Sequence, residues 1–219
     1  MTTREFIKKF LKEKGYIINF IPFINSIRIL SGNLLDIKKT MFRCRIKCKG
    51  KNNEIIFKNG GILRNCNINI NGDNNRVLLG NNVSIIKGTI WIEDSNNSII
   101  IGANSSLCGE ILLAACEGTS IELGEDVLCS SKIELRTSDS HSILDVSGER
   151  INPAKNIKIG NHVWIGEGVR ITKGAETGDN TVIGTATVLN KVFTQDNVII
   201  AGIPGKICKE NINWSRYRY

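Results

Sequence analysis

Histidine is scarce in this chain: His141 and His162 are the only two in 219 residues. One chain therefore cannot supply a three-histidine metal cage, and no cysteine or histidine spacing of a zinc or iron site occurs. Aromatic residues make up only 6%, and no recognition motif accompanies them, which argues against a nucleic-acid partner despite a net charge of +8. No apolar run reaches the roughly 18 residues of a membrane-spanning helix. Prolines number three and glycines 21, with 41% of residues hydrophobic, a composition that fits one soluble domain. The seven cysteines are an odd number without metal-site spacing. They read as small buried hydrophobes in a reducing cytosol.

What is present is a repeat. Asn53-Glu54-Ile55-Ile56-Phe57, Asn75-Arg76-Val77-Leu78-Leu79, Asn97-Ser98-Ile99-Ile100-Ile101 and Thr119-Ser120-Ile121-Glu122-Leu123 begin 22 residues apart. A fixed period in this range marks a stacked solenoid. The next copy, Asn156-Ile157-Lys158-Ile159-Gly160, arrives 14 residues late, so residues 142–155 form an insertion immediately after His141. Such an insertion maps to a surface loop. Downstream the period falls to six, with Ile159, Ile165, Ile171, Thr177, Ile183 and Leu189 in step and glycine following at 160, 166, 178 and 184. No amphipathic helix has that period. Inward and outward alternation gives short strands, and glycine lets the backbone turn between them.

This Ile-Gly tandem resembles the hexapeptide repeat of the left-handed parallel β-helix acyltransferases, over residues 43–208. The resemblance implies an all-β solenoid wound as a left-handed parallel β-helix, an exception to the usual right-handed crossover. The 22-residue copies are then ordinary coils with extra residues at one corner, at Gly72-Asp73-Asn74-Asn75 and Asp94-Ser95-Asn96-Asn97. Residues 1–42 fall outside the repeat and read as a helical N-terminal cap. Arg4 to Lys14 reads as a short basic amphipathic helix that either covers the open end of the core or rests in a membrane interface. Residues 209–219 form a basic, aromatic tail that either meets a neighbour or a carbohydrate or frays.

The chemistry concentrates in Asp139-Ser140-His141 with Asp145 downstream, in Gly148-Glu149-Arg150-Ile151-Asn152-Pro153, in Val163-Trp164-Ile165-Gly166 and in Ala201-Gly202-Ile203-Pro204-Gly205-Lys206. In this order they resemble bacterial O-acetyltransferases of capsule and lipopolysaccharide loci, related to the maltose and galactoside acetyltransferases. The resemblance implies acetyl-CoA as donor, no metal, a saccharide hydroxyl as acceptor, and a homotrimer with clefts between subunits. It also implies a bacterial cytoplasmic location, to which the basic N-terminal segment adds a peripheral contact at the inner membrane face as the variant. Transfer from a thioester to an alcohol needs a base working near neutral pH, a task that suits histidine. His141 takes that role by resemblance; the plainer reading is a corner histidine capping backbone carbonyls. Asp139 and Asp145 are the candidates to orient its ring, and either could instead contact the sugar.

Trp164 alternates outward between Val163 and Ile165; the resemblance implies that it lines the cleft against the pantetheine arm or the acceptor, and coverage by a neighbouring subunit is the plainer reading, compatible with the first. His162 reads as a surface residue. Backbone N–H groups near Gly166 and Gly184 are expected to face the oxyanion. The resemblance implies that Gly166, Thr185 and Ala186 lie along the pantetheine, and Lys191 and Lys206 at the nucleotide phosphates. The repeat does not report the acceptor, so N-acetylation of an amino sugar, or acetylation of a small molecule or antibiotic, stays open. So does a noncatalytic scaffold, in which His141→Ala would be silent.

Overall fold

Each turn of the chain lays down three short strands, because the apolar residues alternate with polar ones and the corners carry glycine, asparagine and aspartate. The computed structural model describes residues 16–21 and 25–218. The first face stacks Asn25–Leu30, Arg45–Lys49, Asn67–Asn71, Ile133–Arg136, Arg170–Thr172 and Val188–Leu189. The second stacks Leu34–Ile37, Glu54–Phe57, Arg76–Leu79, Ser98–Ile101, Ser120–Leu123, Ile157–Ile159, Glu176–Thr177 and Val192–Phe193. The third holds Thr40–Phe42, Ile62–Arg64, Leu128–Cys129, Trp164–Ile165, Val182–Ile183 and Ile199–Ala201. Two long strands, Ser84–Ile92 and Ser106–Ala115, bend from the third face onto the first.

Register follows the repeat. Ile55 lies against Val77, Val77 against Ile99 and Ile99 against Ile121, each 22 residues on. Ile121 then meets Ile157, 36 residues on, and Lys158 meets Glu176, 18 residues on. The long step holds the insertion, and the coil above it has the 18-residue length. Inward residues such as Ile46, Phe57, Ile68, Leu79, Ile99, Val163 and Ile183 fill the interior from end to end.

The corner between the first and second faces explains the recurring asparagine. Asn53, Asn75 and Asn97 are buried there. The Asn75 amide N–H donates to Asn53 Oδ1 at 2.9 Å, that of Asn97 to Asn75 Oδ1 at 2.8 Å, and that of Thr119 to Asn97 Oδ1 at 2.9 Å. Asn75 Nδ2 donates to the Asp94 carbonyl at 2.9 Å. These side chains satisfy backbone groups that the wider corner takes off the strand ladder. Replacing Asn75 by Ala strands the Asn97 N–H and the Asp94 carbonyl, at a cost of roughly 1–3 kcal/mol. Thermal melting should show it as a fall of about 2–4 °C per kcal/mol in a chain of this size; an unchanged midpoint would remove the ladder from the stabilising contacts.

The described part of the N-terminal segment is strand, which corrects the expectation of a helical cap. Asn25–Leu30 pairs in parallel with Arg45–Lys49, and Tyr16–Ile21 lies antiparallel against it. The reason is a period of two: Ile27 and Ile29 point inward and Arg28 outward. The helix expected over Arg4 to Lys14 lies outside the described residues. Among the cysteines, Cys44, Cys48, Cys66 and Cys129 are buried as expected of small hydrophobes, whereas Cys108 and Cys208 are exposed.

Candidate active site

The insertion forms a braced loop at the first–second corner. Its base continues the polar ladder: the Thr119 hydroxyl meets the Thr137 hydroxyl at 2.6 Å, and the Lys155 N–H donates to the Thr137 carbonyl at 2.9 Å. Asn152, 7% exposed, ties the loop together. Its Nδ2 donates to the His141 carbonyl and to Asp139 Oδ2, both at 2.8 Å, while its Oδ1 accepts the Ile143 N–H at 2.6 Å. Beyond it the chain forms a small hairpin, with the Ile151 N–H on the Ile143 carbonyl at 2.9 Å. His141 is exposed where the loop begins.

Neither candidate carboxylate directs its bonds to the His141 ring. Asp139 accepts from the Lys173 ammonium and from Asn152, and Lys173 chiefly holds its carboxyl below the usual range. Asp145 turns into its own hairpin tip, accepting from the Ser147 hydroxyl at 2.6 Å and from the Ser147 and Glu149 N–H groups at 2.9 Å. That is a local turn bond, which short polar side chains form readily. Sequence reasoning singled out the segment with Arg150 and Asn152 but gave those two no role, and it missed Lys173 and Glu117; all four are braces.

Arg150 grips Glu117 with two parallel bonds, Nη1 to Oε2 at 2.7 Å and Nη2 to Oε1 at 2.9 Å, and the Ser138 hydroxyl adds a third at 2.6 Å. The Arg150 bonds first, then Ser138, pull the Glu117 carboxyl from 4.5 down to about 2. A folded value below the unfolded one gives stability that is present above pH 4.5 and lost as pH falls toward 2. Proteolysis within residues 139–151 should therefore speed up over that window. Glu117→Gln should make the cutting fast already at neutral pH and flatten its acid dependence; a steep acid response in that variant would place the anchor elsewhere.

Beside the loop opens a cleft of about 270 Å³, bordered by Trp91, Asp94, Glu117, Arg136, Ser138 and Ser140. Trp91 is 42% exposed. A flat indole flanked by carboxylates, hydroxyls and a guanidinium matches the mixed apolar faces and hydroxyls of a sugar ring.

The expected donor residues lie elsewhere. Trp164, 40% exposed, starts the third face, and its ring centroid is 6.1 Å from that of Trp214. Gly166 and Gly184 donate their N–H groups to the Ile183 and Ile200 carbonyls, both at 2.8 Å. Those amides hold coils together, which corrects the expectation that they face an oxyanion. At Gly166 a Cβ would stand 2.8 Å from the Thr185 nitrogen and 2.9 Å from the Ile183 oxygen, so close coil stacking demands glycine there. Thr185 and Ala186 are exposed at the third–first corner, and Lys191 and Lys206 are also exposed. His162 is not a plain surface residue: it is partly buried against Asp126 and Trp214. The first–second corner, with His141, faces away from the third face, with Trp164, so one chain does not bring the two together.

A three-sided parallel coil broken once by a loop is the architecture of the hexapeptide-repeat acetyltransferases, and at 34% identity to an O-acetyltransferase of which it covers 93% the chain belongs to that family. No family model matches the chain. It is 34% identical to the polysialic acid O-acetyltransferase OatWY, whose crystal structure it matches with a TM-score of 0.83 over 90% of this chain and 93% of that one. The polysialic acid specific acetyltransferase NeuO matches with a TM-score of 0.78 and 32% identity, over 88% and 89%. Among curated sequences, the polysialic acid O-acetyltransferase of Neisseria meningitidis is 37% identical over 112 residues, so the match spans about half the length of each, 51%.

Proposed function

We propose that the protein moves the acetyl group of acetyl-CoA onto a hydroxyl of a bacterial surface saccharide, a capsule or lipopolysaccharide unit or its precursor. The observation that carries this reading is the near full-length likeness to two polysialic acid acetyltransferases. His141 is the general base: it takes the hydroxyl proton as the oxygen attacks the thioester carbonyl, and the tetrahedral intermediate collapses to ester and CoA thiol. Asp139, fixed by Lys173 and Asn152, steadies the segment that carries His141. The cleft at Trp91 and Ser138 takes the acceptor, and the net charge of +8 steers an anionic polymer toward the molecule.

Trp164 forms the donor wall, with Thr185 and Ala186 beside the pantetheine and Lys191 and Lys206 at the phosphates. The separation of His141 from Trp164 supports a cyclic homotrimer, in which the histidine corner of one subunit meets the tryptophan face of the next. Winding is left-handed, as in the family, and the enzyme works in the bacterial cytoplasm.

The test is release of CoA thiol from acetyl-CoA against a panel of polysialic acid, lipopolysaccharide oligosaccharide, galactosides, maltose and amino sugars. Release that depends on a polymer or oligosaccharide, with ester formation seen by mass spectrometry, supports the reading. A response confined to amino sugars with amide formation would move it to N-acetylation. No release and no CoA binding would leave a scaffold.

A further inference from the structure

The C-terminal tail does not hang free. It runs down the second–third corner against the stacking direction: the Ile212 N–H donates to the Asn197 carbonyl at 2.9 Å, Trp214 sits at His162, and Arg216 Nε reaches Asp126 Oδ1 at 2.7 Å. Arg216 Nη2 also donates to the Asn104 carbonyl at 3.2 Å. The corner is a column of left-handed residues, Asn82, Asn104, Asp126, His162, Asn180 and Asn197. Asparagine and aspartate suit that conformation best. An imidazole stands in the column at position 162 alone, and it meets the tail, as do Asp126 and Asn104 below it and Asn197 above.

The His162 ring lies flat on the Trp214 indole, centroids 4.1 Å apart and planes 11° from parallel. Its Nδ1 is 2.6 Å from Asp126 Oδ2 and its Nε2 is 3.1 Å from the Trp214 carbonyl oxygen. The indole N–H returns a bond to the His162 carbonyl at 2.8 Å. Trp214 is thereby 9% exposed within a tail otherwise largely open to solvent. Trp164, two residues after His162 on the same coil, lies against Trp214 at a 42° tilt.

We propose that this C-terminal strap is a positioning device for the donor site: Trp214, clamped on His162, whose ring Asp126 holds, fixes the indole of Trp164. Trp214 is a positioning residue, and the inference rests on the placement of Trp164 at the donor wall made above. The strap lies outside the filled interior, so removing one contact in it leaves the solenoid core intact.

Calorimetric titration with CoA decides it, on the full chain in five forms: wild type, Trp164→Ala, Trp214→Ala, Trp214→Phe and the double alanine variant. Trp214→Ala is expected to raise the Kd for CoA about tenfold, the scale of one well-placed aromatic contact. Trp214→Phe, which keeps a ring on Trp164, should recover most of that loss. The double variant should bind no more weakly than Trp164→Ala alone, since both single changes remove one shared contact. Wild-type CoA binding by Trp214→Ala, alongside a weakened Trp164→Ala, overturns the strap. Wild-type binding by Trp164→Ala overturns the donor wall itself. Should Trp214→Ala fail to fold, Arg216→Ala loosens the strap from its far end, and unchanged CoA binding there overturns the proposal equally.

Discussion

His141→Ala should lower kcat by about 10²- to 10⁴-fold, the range that a positioned general base contributes. The KM for acetyl-CoA should stay close to the wild-type value, because the donor contacts proposed at Trp164, Thr185 and Ala186 do not use the imidazole. Steady-state thiol release, measured with whichever saccharide the panel identifies, separates the two constants. The folded state should be untouched, since His141 is exposed and its carbonyl keeps its bond to Asn152 whatever the side chain. A variant with wild-type kcat would remove His141 from the chemistry and return it to the role of a corner residue.

Asn152→Ala should be the second most damaging change, although Asn152 need not touch either substrate. One amide holds the His141 carbonyl, the Asp139 carboxylate and the Ile143 N–H. Without it the segment from 139 to 143 loses its cross-brace, and a displacement of about 1 Å at a catalytic base costs on the order of 10²-fold in rate. The expected signature is a kcat fall of that size with little change in KM for acetyl-CoA. Melting should shift only modestly, because the loop lies on the surface of an intact interior. Asn152→Ala with normal kcat would show that Lys173, whose ammonium also reaches Asp139 and the Asn152 carbonyl, holds the loop by itself.

The regular part of this fold was legible because its register is periodic: Ile55, Val77, Ile99 and Ile121 form one column and differ by 22 in sequence. The delayed copy at Ile157 likewise located the loop. The coil before it was hidden by spacing. Ile27 stacks on Ile46 and Leu35 on Ile55, steps of 19 and 20, so the strands within 25–37 kept the alternation but not the period.

At the site, position was readable and partnership was not. A sequence shows that Asp145 follows His141 by four, but not that Ser147 and Glu149 take up its carboxylate two and four residues on. Nor does it show that Glu117, one coil below, would hold Arg150 from the loop. The role of His162 had a faint signal, an imidazole in a column of asparagine and aspartate, which became informative only once the left-handed corner was known.

The opposed placement of His141 and Trp164 also bears on inheritance. When the base and the donor wall come from different copies, a complete site belongs to a boundary between chains rather than to any chain. Two damaged alleles, one altered at the histidine corner and the other at the tryptophan face, then fail at different halves of the boundary. Where their products assemble together, some boundaries combine the two undamaged halves, and a cell carrying both alleles regains activity that neither supplies alone.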